Sequence, residues 1–314
     1  DARIDNPKYK ARFGCKAKML AADEAEPLIG HGVGGVCPFA LNEGVDVFLD
    51  ESLRRFDTVY PAAGNAASAV RRALHLGRRL QGRLMEAGER RSGEMTFYVV
   101  RHGQTLFNVM GKVQGWCDTP LTDEGVRAAQ SLGRGLAEVD FSAAYSSDSG
   151  RAVHTLDELL RARGSGVPFG PYDDMRLREW CYGDLEGEPG ELLHATLDAG
   201  FGAPLSFEEH NRRLPEVADV LADADCSGRA ERFDAIERRL RGFFREAGDD
   251  GLKRGGGNVL VVTHSFVVRT LVYLIDPERV NDPVKIPNAS VTRISYDGSD
   301  FRLGEIGSTA WQRP

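Results

Sequence analysis

Three short apolar runs, MTFYVV at 95–100, the stretch at 143–146 and NVLVVT at 258–263, each give way to a run with helical spacing. This alternation constrains the chain more than any other feature. Uninterrupted β-rich runs of this length suit strands buried on both faces, and strands alternating with helices imply βαβ units. The expected fold is therefore α/β: three layers, α/β/α, around a mostly parallel central sheet. Thr122 is placed to cap the helix that follows it, with Gly125 in its first turn, and SGRAVHTLDELLRAR gives another amphipathic helix. Alternation on either side of DGSD near the end predicts a terminal hairpin. Residues 187–256 carry helical patterns without a strand, between the glycine-rich stretches GEPG and GDDGLKRGGG, and read as a helical insertion. Apolar spacing among arginines over about 66–92 predicts a further helix, closing a first unit at 1–93 before a second at 94–314.

The length, 314 residues, suffices for two domains, and 41% hydrophobic with 28% charged residues excludes a disordered or fibrous chain. No apolar run approaches the ~20 residues needed to cross a bilayer, and no signal-peptide core is evident, so a cytoplasmic protein without membrane partners is expected. Five scattered cysteines without a CxxC pair suggest reduced thiols rather than a disulfide framework or a zinc knuckle. Residues 1–93 hold 15 Lys and Arg against 12 Asp and Glu; the rest hold 25 against 35. That basic excess is too small to argue for nucleic-acid binding by itself. The chain starts at Asp1 without an initiator methionine, so its natural beginning is expected upstream. The oligomeric state is not legible.

Directly after the first apolar run stands RHGQTLFN: Arg101, His102 and Gly103, then Thr105 and Asn108. In open α/β sheets the carboxyl ends of strands open onto the ligand crevice, and a glycine there lets backbone approach a ligand closely. The bland alternative for an Arg-His pair is a solvated strand end. Blocks QGWCDTPLTDEG (114–125), YSSDSGRAVHT (145–155), LREWCYGDLEG (177–187), VVTHS (261–265) and PNASV (287–291) follow in order. Together with RHGQTLFN they resemble the histidine phosphatase superfamily, which includes cofactor-dependent phosphoglycerate mutases, over about 94–314. The resemblance implies the phosphoglycerate mutase-like fold and a phosphohistidine intermediate on His102. Chemically this is sound, because an imidazole is largely neutral at pH 7 and can attack phosphorus without first losing a proton. Arg101 and Arg151 are the natural phosphate clamp, since guanidinium forks bind phosphate bidentately and stay charged. His264 would be a second histidine donating to the phosphate, and Glu179 matches the family's general acid.

Glu179 also has a plain reading, a surface carboxylate paired with Arg176 or Arg178. Asn108, Thr105 and Ser147 are candidates for orienting or phosphate contacts. His75, His154, His194 and His210 read as surface or packing residues, and Arg212 and Arg213 as a solvated face that could otherwise hold a substrate carboxylate. No side-chain set has metal-ligand spacing, and no cofactor is expected. The implied activity is metal-independent hydrolysis of a small phosphomonoester, the block YGDLEG reading as in phosphatase branches. A phosphoglycerate-type mutase is the near alternative, and a signalling protein with a silent phosphatase fold a more distant one.

Residues 30–64 differ in character. GGVCP, a GxxxP loop at Gly34 to Pro38, and Asp50 after VDVFL resemble part of the YbaK-type aminoacyl-tRNA editing domain, over about 1–90. The resemblance implies a partial α+β segment and an editing or tRNA-binding module as the alternative function. The lysine that family uses lies on an earlier strand with no counterpart here, which favours a remnant with a packing role.

Overall fold

The computed structural model describes residues 94–313 together with Glu24, Pro27, Thr58–Val59 and Arg72–Ala73. Two compact units emerge, Asp1–Gly88 and Glu89–Pro314. In the first, Thr58–Val59 pairs antiparallel with Arg72–Ala73. The helix expected over about 66–92 lies outside the described residues except at Arg72 and Ala73, which are strand: cross-strand pairing takes up backbone groups that a helix would have bonded internally. The blocks that resemble an editing domain lie outside the described residues, apart from Thr58 and Val59.

The second unit is built on six strands: β1 (Met95–Arg101), β2 (Phe141–Ser146), β3 (Phe169–Asp173), β4 (Gly257–Thr263), β5 (Val291–Tyr296) and β6 (Phe301–Leu303). Their order is β3-β2-β4-β1-β5-β6. The first four are mutually parallel, while β5 and β6 run antiparallel as the terminal hairpin. At the hairpin's turn the Asp297 carboxylate accepts from the backbone N–H groups of Ser299 and Asp300.

Helices α1 (Leu106–Met110), α2 (Asp123–Gly135), α3 (Gly150–Arg163), α4 (Gly190–Phe201), α5 (Phe207–Arg212), α6 (Leu214–Ala224), α7 (Phe233–Lys253) and α8 (Ser265–Ile275) complete the unit. The period of two along the central strands sorts them into layers. Phe97 and Val99 of β1, with Val259 and Val261 of β4, face a core shared with α6, α7 and α8. Tyr98, Val100, Leu260 and Val262 face the opposite core, with Leu132 of α2 and Leu156 and Leu159 of α3. The two apolar runs are therefore continuous because both of their faces are buried.

Thr122 caps α2, its Oγ1 accepting from Gly125 N, and such a cap contributes about 1 kcal/mol. Strand β3 gave no sequence signal. It is a half-exposed edge strand reading FGPYD, and a glycine, a proline and an aspartate are tolerated at an edge where they would not be at the centre.

Candidate active site

β1 and β4 lie side by side with Arg101 opposite Thr263, so the residues that follow, His102 and His264, leave the sheet together. The backbone N–H of His102 donates to Thr263 O. Its ring Nδ1 lies 2.7 Å from Gly103 O. A carbonyl can only accept, so Nδ1 carries the proton and Nε2 presents a lone pair. Arg151 Nε sits 3.3 Å from that Nε2. His102 is 4% exposed. Burial first, then the charges of Arg151 and Arg101, hold its pKa well below the ordinary histidine value. The imidazole is thus neutral, with its free nitrogen turned toward cationic groups.

Gly103 serves a purpose other than the close approach to a ligand expected from the sequence. A Cβ there would stand 2.6 Å from Gly125 O, and one on Gly125 would stand 2.2 Å from Gln104 O. The two glycines let the loop after β1 lie backbone to backbone against the first turn of α2. Gly103 N also donates to Thr155 Oγ1 of α3, fixing the loop from a second side.

Arg151, at the start of α3, is 1% exposed. Its guanidinium is held at every nitrogen: Nη1 donates to Cys117 O and the Asp118 carboxylate, Nη2 to Gly115 O, and Nε to His102. The 115–118 loop is in turn ordered by one carboxylate. Glu186, the glutamate of YGDLEG, accepts from the backbone N–H groups of Gly115, Trp116, Cys117 and Tyr182. Sequence reading gave Glu186 no role, although its spacing from Glu179 within one block was the available signal.

Glu179 is buried, at 4% exposed, which overturns the surface-pair reading; Arg176 pairs with Asp174 and Glu246, and Arg178 with Asp148. Its carboxylate accepts from Trp180 N at 3.1 Å, Phe266 N at 3.0 Å and Val267 N at 3.2 Å. Two of these are orphan amides of the first turn of α8, whose N-cap residue, His264, makes no side-chain cap bond. Burial pushes the Glu179 pKa up while these amides and Arg151 and Arg101 oppose it, and burial prevails. Its backbone carbonyl is fixed by Trp116 Nε1 and by Arg239.

His264 is fully buried, its ring centroid 5.2 Å from that of His102. Neither ring nitrogen has a hydrogen-bond partner, and burial together with Arg151 and the other nearby cationic and histidine groups drives its pKa down. Arg101 donates through Nη1 to Ile286 O, while its buried Nε lacks a partner. Burial lowers its pKa to about 10, leaving it charged at neutral pH. Buried, unpartnered nitrogen atoms on two side chains next to His102 are what a site awaiting an anion presents.

A cavity of about 310 Å³ opens here, lined at one end by Arg101, His102, Asn108, Gln114 and Glu179. Asn108 Oδ1 accepts from Thr105 N and Asn288 Nδ2. Arg151 and His264 stand behind this lining rather than in it, and Thr105 and Ser147 do not line the cavity either. Thr105 is the buried cap of α1 and donates to Gln114, and the Ser147 hydroxyl is engaged with Ser149 at the entry to α3. Both support the loops without facing the hollow. His194 is exposed and His210 buried, as expected of surface and packing residues, and both also border the cavity, as do Lys112, Asn211 and Lys285, which sequence reading did not single out. His154 is half-exposed beside Glu158. Arg213 pairs with Glu216 and lies over the Phe201 ring. His75 lies outside the described residues.

Chemically, the arrangement offers a neutral imidazole with a free nitrogen, two guanidinium groups, an uncommitted second imidazole and a carboxyl group whose raised pKa suits proton donation. Among the described residues, no group of three or more His, Cys, Asp and Glu side chains is placed to hold a metal ion, and no helix is long and apolar enough to cross a membrane.

Comparison with known proteins agrees with this geometry. The family profile described as histidine phosphatase superfamily (branch 1) matches residues 97–309, and that of the aminoacyl-tRNA editing domain matches residues 1–80. Phosphoglycerate mutase-like protein 4 of Arabidopsis thaliana is 31% identical over 68% of this chain and 84% of its own. The crystal structure of a phosphoglycerate mutase from Bacillus anthracis superimposes with a TM-score of 0.65 at 33% identity, covering 70% of this chain and 96% of that one. The uncharacterized protein YwhH of Bacillus subtilis is 51% identical over 70 residues, 22% of this chain; the match spans 45% of YwhH.

Proposed function

The chain belongs to the histidine phosphatase superfamily, branch 1, and from that premise we propose that it is a metal-independent phosphatase acting on a small phosphomonoester through a phosphohistidine on His102. The observation that carries the reading is the His102 tautomer: Nδ1–H committed to Gly103 O, Nε2 unprotonated and facing Arg151. The lone pair on Nε2 attacks phosphorus as the ester P–O bond breaks. The leaving oxygen takes the proton of Glu179. Arg151 Nε, which donates to His102 Nε2 before substrate arrives, is positioned to turn its proton onto a phosphoryl oxygen as Nε2 becomes bonded to phosphorus. The unpartnered groups of Arg101 and His264 supply further donors, and fixed donors in a dry site stabilise developing charge without reorganisation. Water then attacks the phosphohistidine, giving up a proton to the Glu179 carboxylate, and inorganic phosphate leaves with both His102 and Glu179 restored.

Two guanidinium groups already provide the positive charge that a metal would bring, so activity undiminished by chelators is expected. The direct test is trapping of ³²P from a labelled ester as an acid-labile, alkali-stable protein adduct that is lost in His102→Ala. A His102→Ala enzyme with full activity would overturn the reading.

A second reading, a phosphoglycerate-type mutase, is favoured by the similarity to proteins of that name. With 3-phosphoglycerate and a trace of bisphosphoglycerate, isomerisation without free phosphate would establish it. The family match over 1–80 supports a separate aminoacyl-tRNA editing reading for that segment, tested by release of amino acid from mischarged tRNA.

A further inference from the structure

Beyond the phosphate end, much of the cavity wall is hydrocarbon, interrupted by polar side chains. Leu193 and Leu197 of α4, Phe207 of α5, Val217 and Leu221 of α6 and Phe266 of α8 face it. A polyol or a short hydroxy acid placed against these side chains would lose water from its hydroxyl groups and find no partner in exchange, whereas alkyl or aryl carbon would gain by the same burial.

The polar groups elsewhere on this wall are mostly committed. Asn211 Nδ2 donates to Asn281 Oδ1 and Val284 O. The Arg269 guanidinium donates to the carbonyls of Val280, Pro283 and Val284. The Lys285 amine sits over the Phe207 ring, 4.6 Å from its centroid. His210 differs from these amides and guanidinium groups. It lines the cavity at 5% exposure, stacks beside His194, and its Nε2 has no hydrogen-bond partner. Buried polar atoms in native proteins are nearly always paired, so a lone one in a cavity wall points to a partner that arrives with the ligand.

We propose that the substrate is a phosphate ester whose organic part is an apolar body ending in a hydrogen-bonding group, the body lying along the α4–α6 wall and the end group meeting His210 Nε2. This assignment rests on the phosphatase reading for turnover but not for binding, and the test separates the two.

Two ligand series decide it: n-alkyl phosphates assayed for phosphate release, and the matching non-hydrolysable alkylphosphonates, with and without a terminal hydroxyl, titrated calorimetrically. Each added methylene is expected to raise kcat/KM and tighten phosphonate binding about fourfold until the cavity is full. At one chain length the hydroxyl-terminated phosphonate should bind more tightly than the plain chain of equal atom count, and His210→Phe should abolish that advantage while keeping the methylene increment. Leu193→Asn, at a partly buried position that the fold tolerates better than its core, should flatten the increment.

A flat series in both assays, or 3-phosphoglycerate preferred over every alkyl ester, overturns the apolar body. No hydroxyl advantage at any length, or an advantage that survives His210→Phe, overturns the role of His210. Length-dependent phosphonate binding without hydrolysis of any ester would leave the pocket assignment standing and sink the phosphatase reading instead.

Discussion

The two ends of the cavity are made by different means. The phosphate end is assembled at strand tips, where Arg101, His102 and His264 are fixed by sheet register and Arg151 by the loop at 115–118. The far end is a helix wall made mainly of packed hydrocarbon, such as Leu193, Leu197, Val217 and Leu221. The first end is specified by hydrogen bonds that depend on direction, and it tolerates little change. The second is specified by size and apolarity, so it can be altered without dismantling the chemistry. Substitutions at the strand tips should therefore act on rate, and those on the wall on substrate choice.

The largest expected effect sharpens that contrast. His102→Ala removes the proposed nucleophile and should lower kcat by at least ~10⁴-fold, in line with loss of a covalent catalyst, while thermal unfolding shows the fold intact. Steady-state phosphate release checks it; a loss under tenfold would mean that the strand tips do not carry the chemistry. Next comes Glu179→Gln. It keeps the side chain's shape but removes the proton, and should cost about 10² to 10³-fold for esters with poor leaving groups, and much less for 4-nitrophenyl phosphate, whose leaving oxygen needs no acid. The same variant tests the pH profile. The proposed mechanism requires His102 unprotonated and Glu179 protonated; with the His102 pKa lowered and the Glu179 pKa raised, kcat/KM should fall as pH rises through the Glu179 value. That alkaline limb should disappear in the Gln variant.

Glu186→Gln probes whether the loop behind Arg151 belongs to the rigid end. Losing a carboxylate that serves four amides should loosen residues 115–117 and reduce kcat by roughly tenfold, as expected when a support rather than a reacting group is weakened, with the pH profile kept. The smallest effect concerns stability. Because His102 and His264 are buried with lowered pKa values, the unfolded chain binds more protons than the folded one below about pH 6.5, so stability should be fully present above that value and decline as pH falls. Calorimetric Tm at pH 7.5 and 5.5 measures this, and His264→Asn should shrink the difference.

The same division describes what the sequence made legible. Strands β1, β2 and β4, the capped helix α2 and the terminal hairpin were visible because apolar runs and turn residues report burial and local geometry directly. The convergence of Arg101, His102, Arg151, Glu179 and His264 was visible through family resemblance, since nothing local in a sequence states that residues scattered between 101 and 264 meet around one imidazole. Strand β3 was missed because an edge strand needs neither alternation nor β-rich residues. The purpose of Gly103 was misread because its partner, Gly125, lies across a loop. His210 was read only as a surface or packing residue because a histidine on a helix looks the same in sequence whether its ring faces water or a cavity.

Glu179 holds the leading turn of α8 with the same two oxygens that are proposed to hand over and reclaim a proton. Proton traffic during turnover would thus be written into the amides of Phe266 and Val267, whose NMR resonances should track the titration of a side chain invisible to optical probes. The helix becomes a built-in gauge, registering at its backbone which half of the cycle the enzyme occupies.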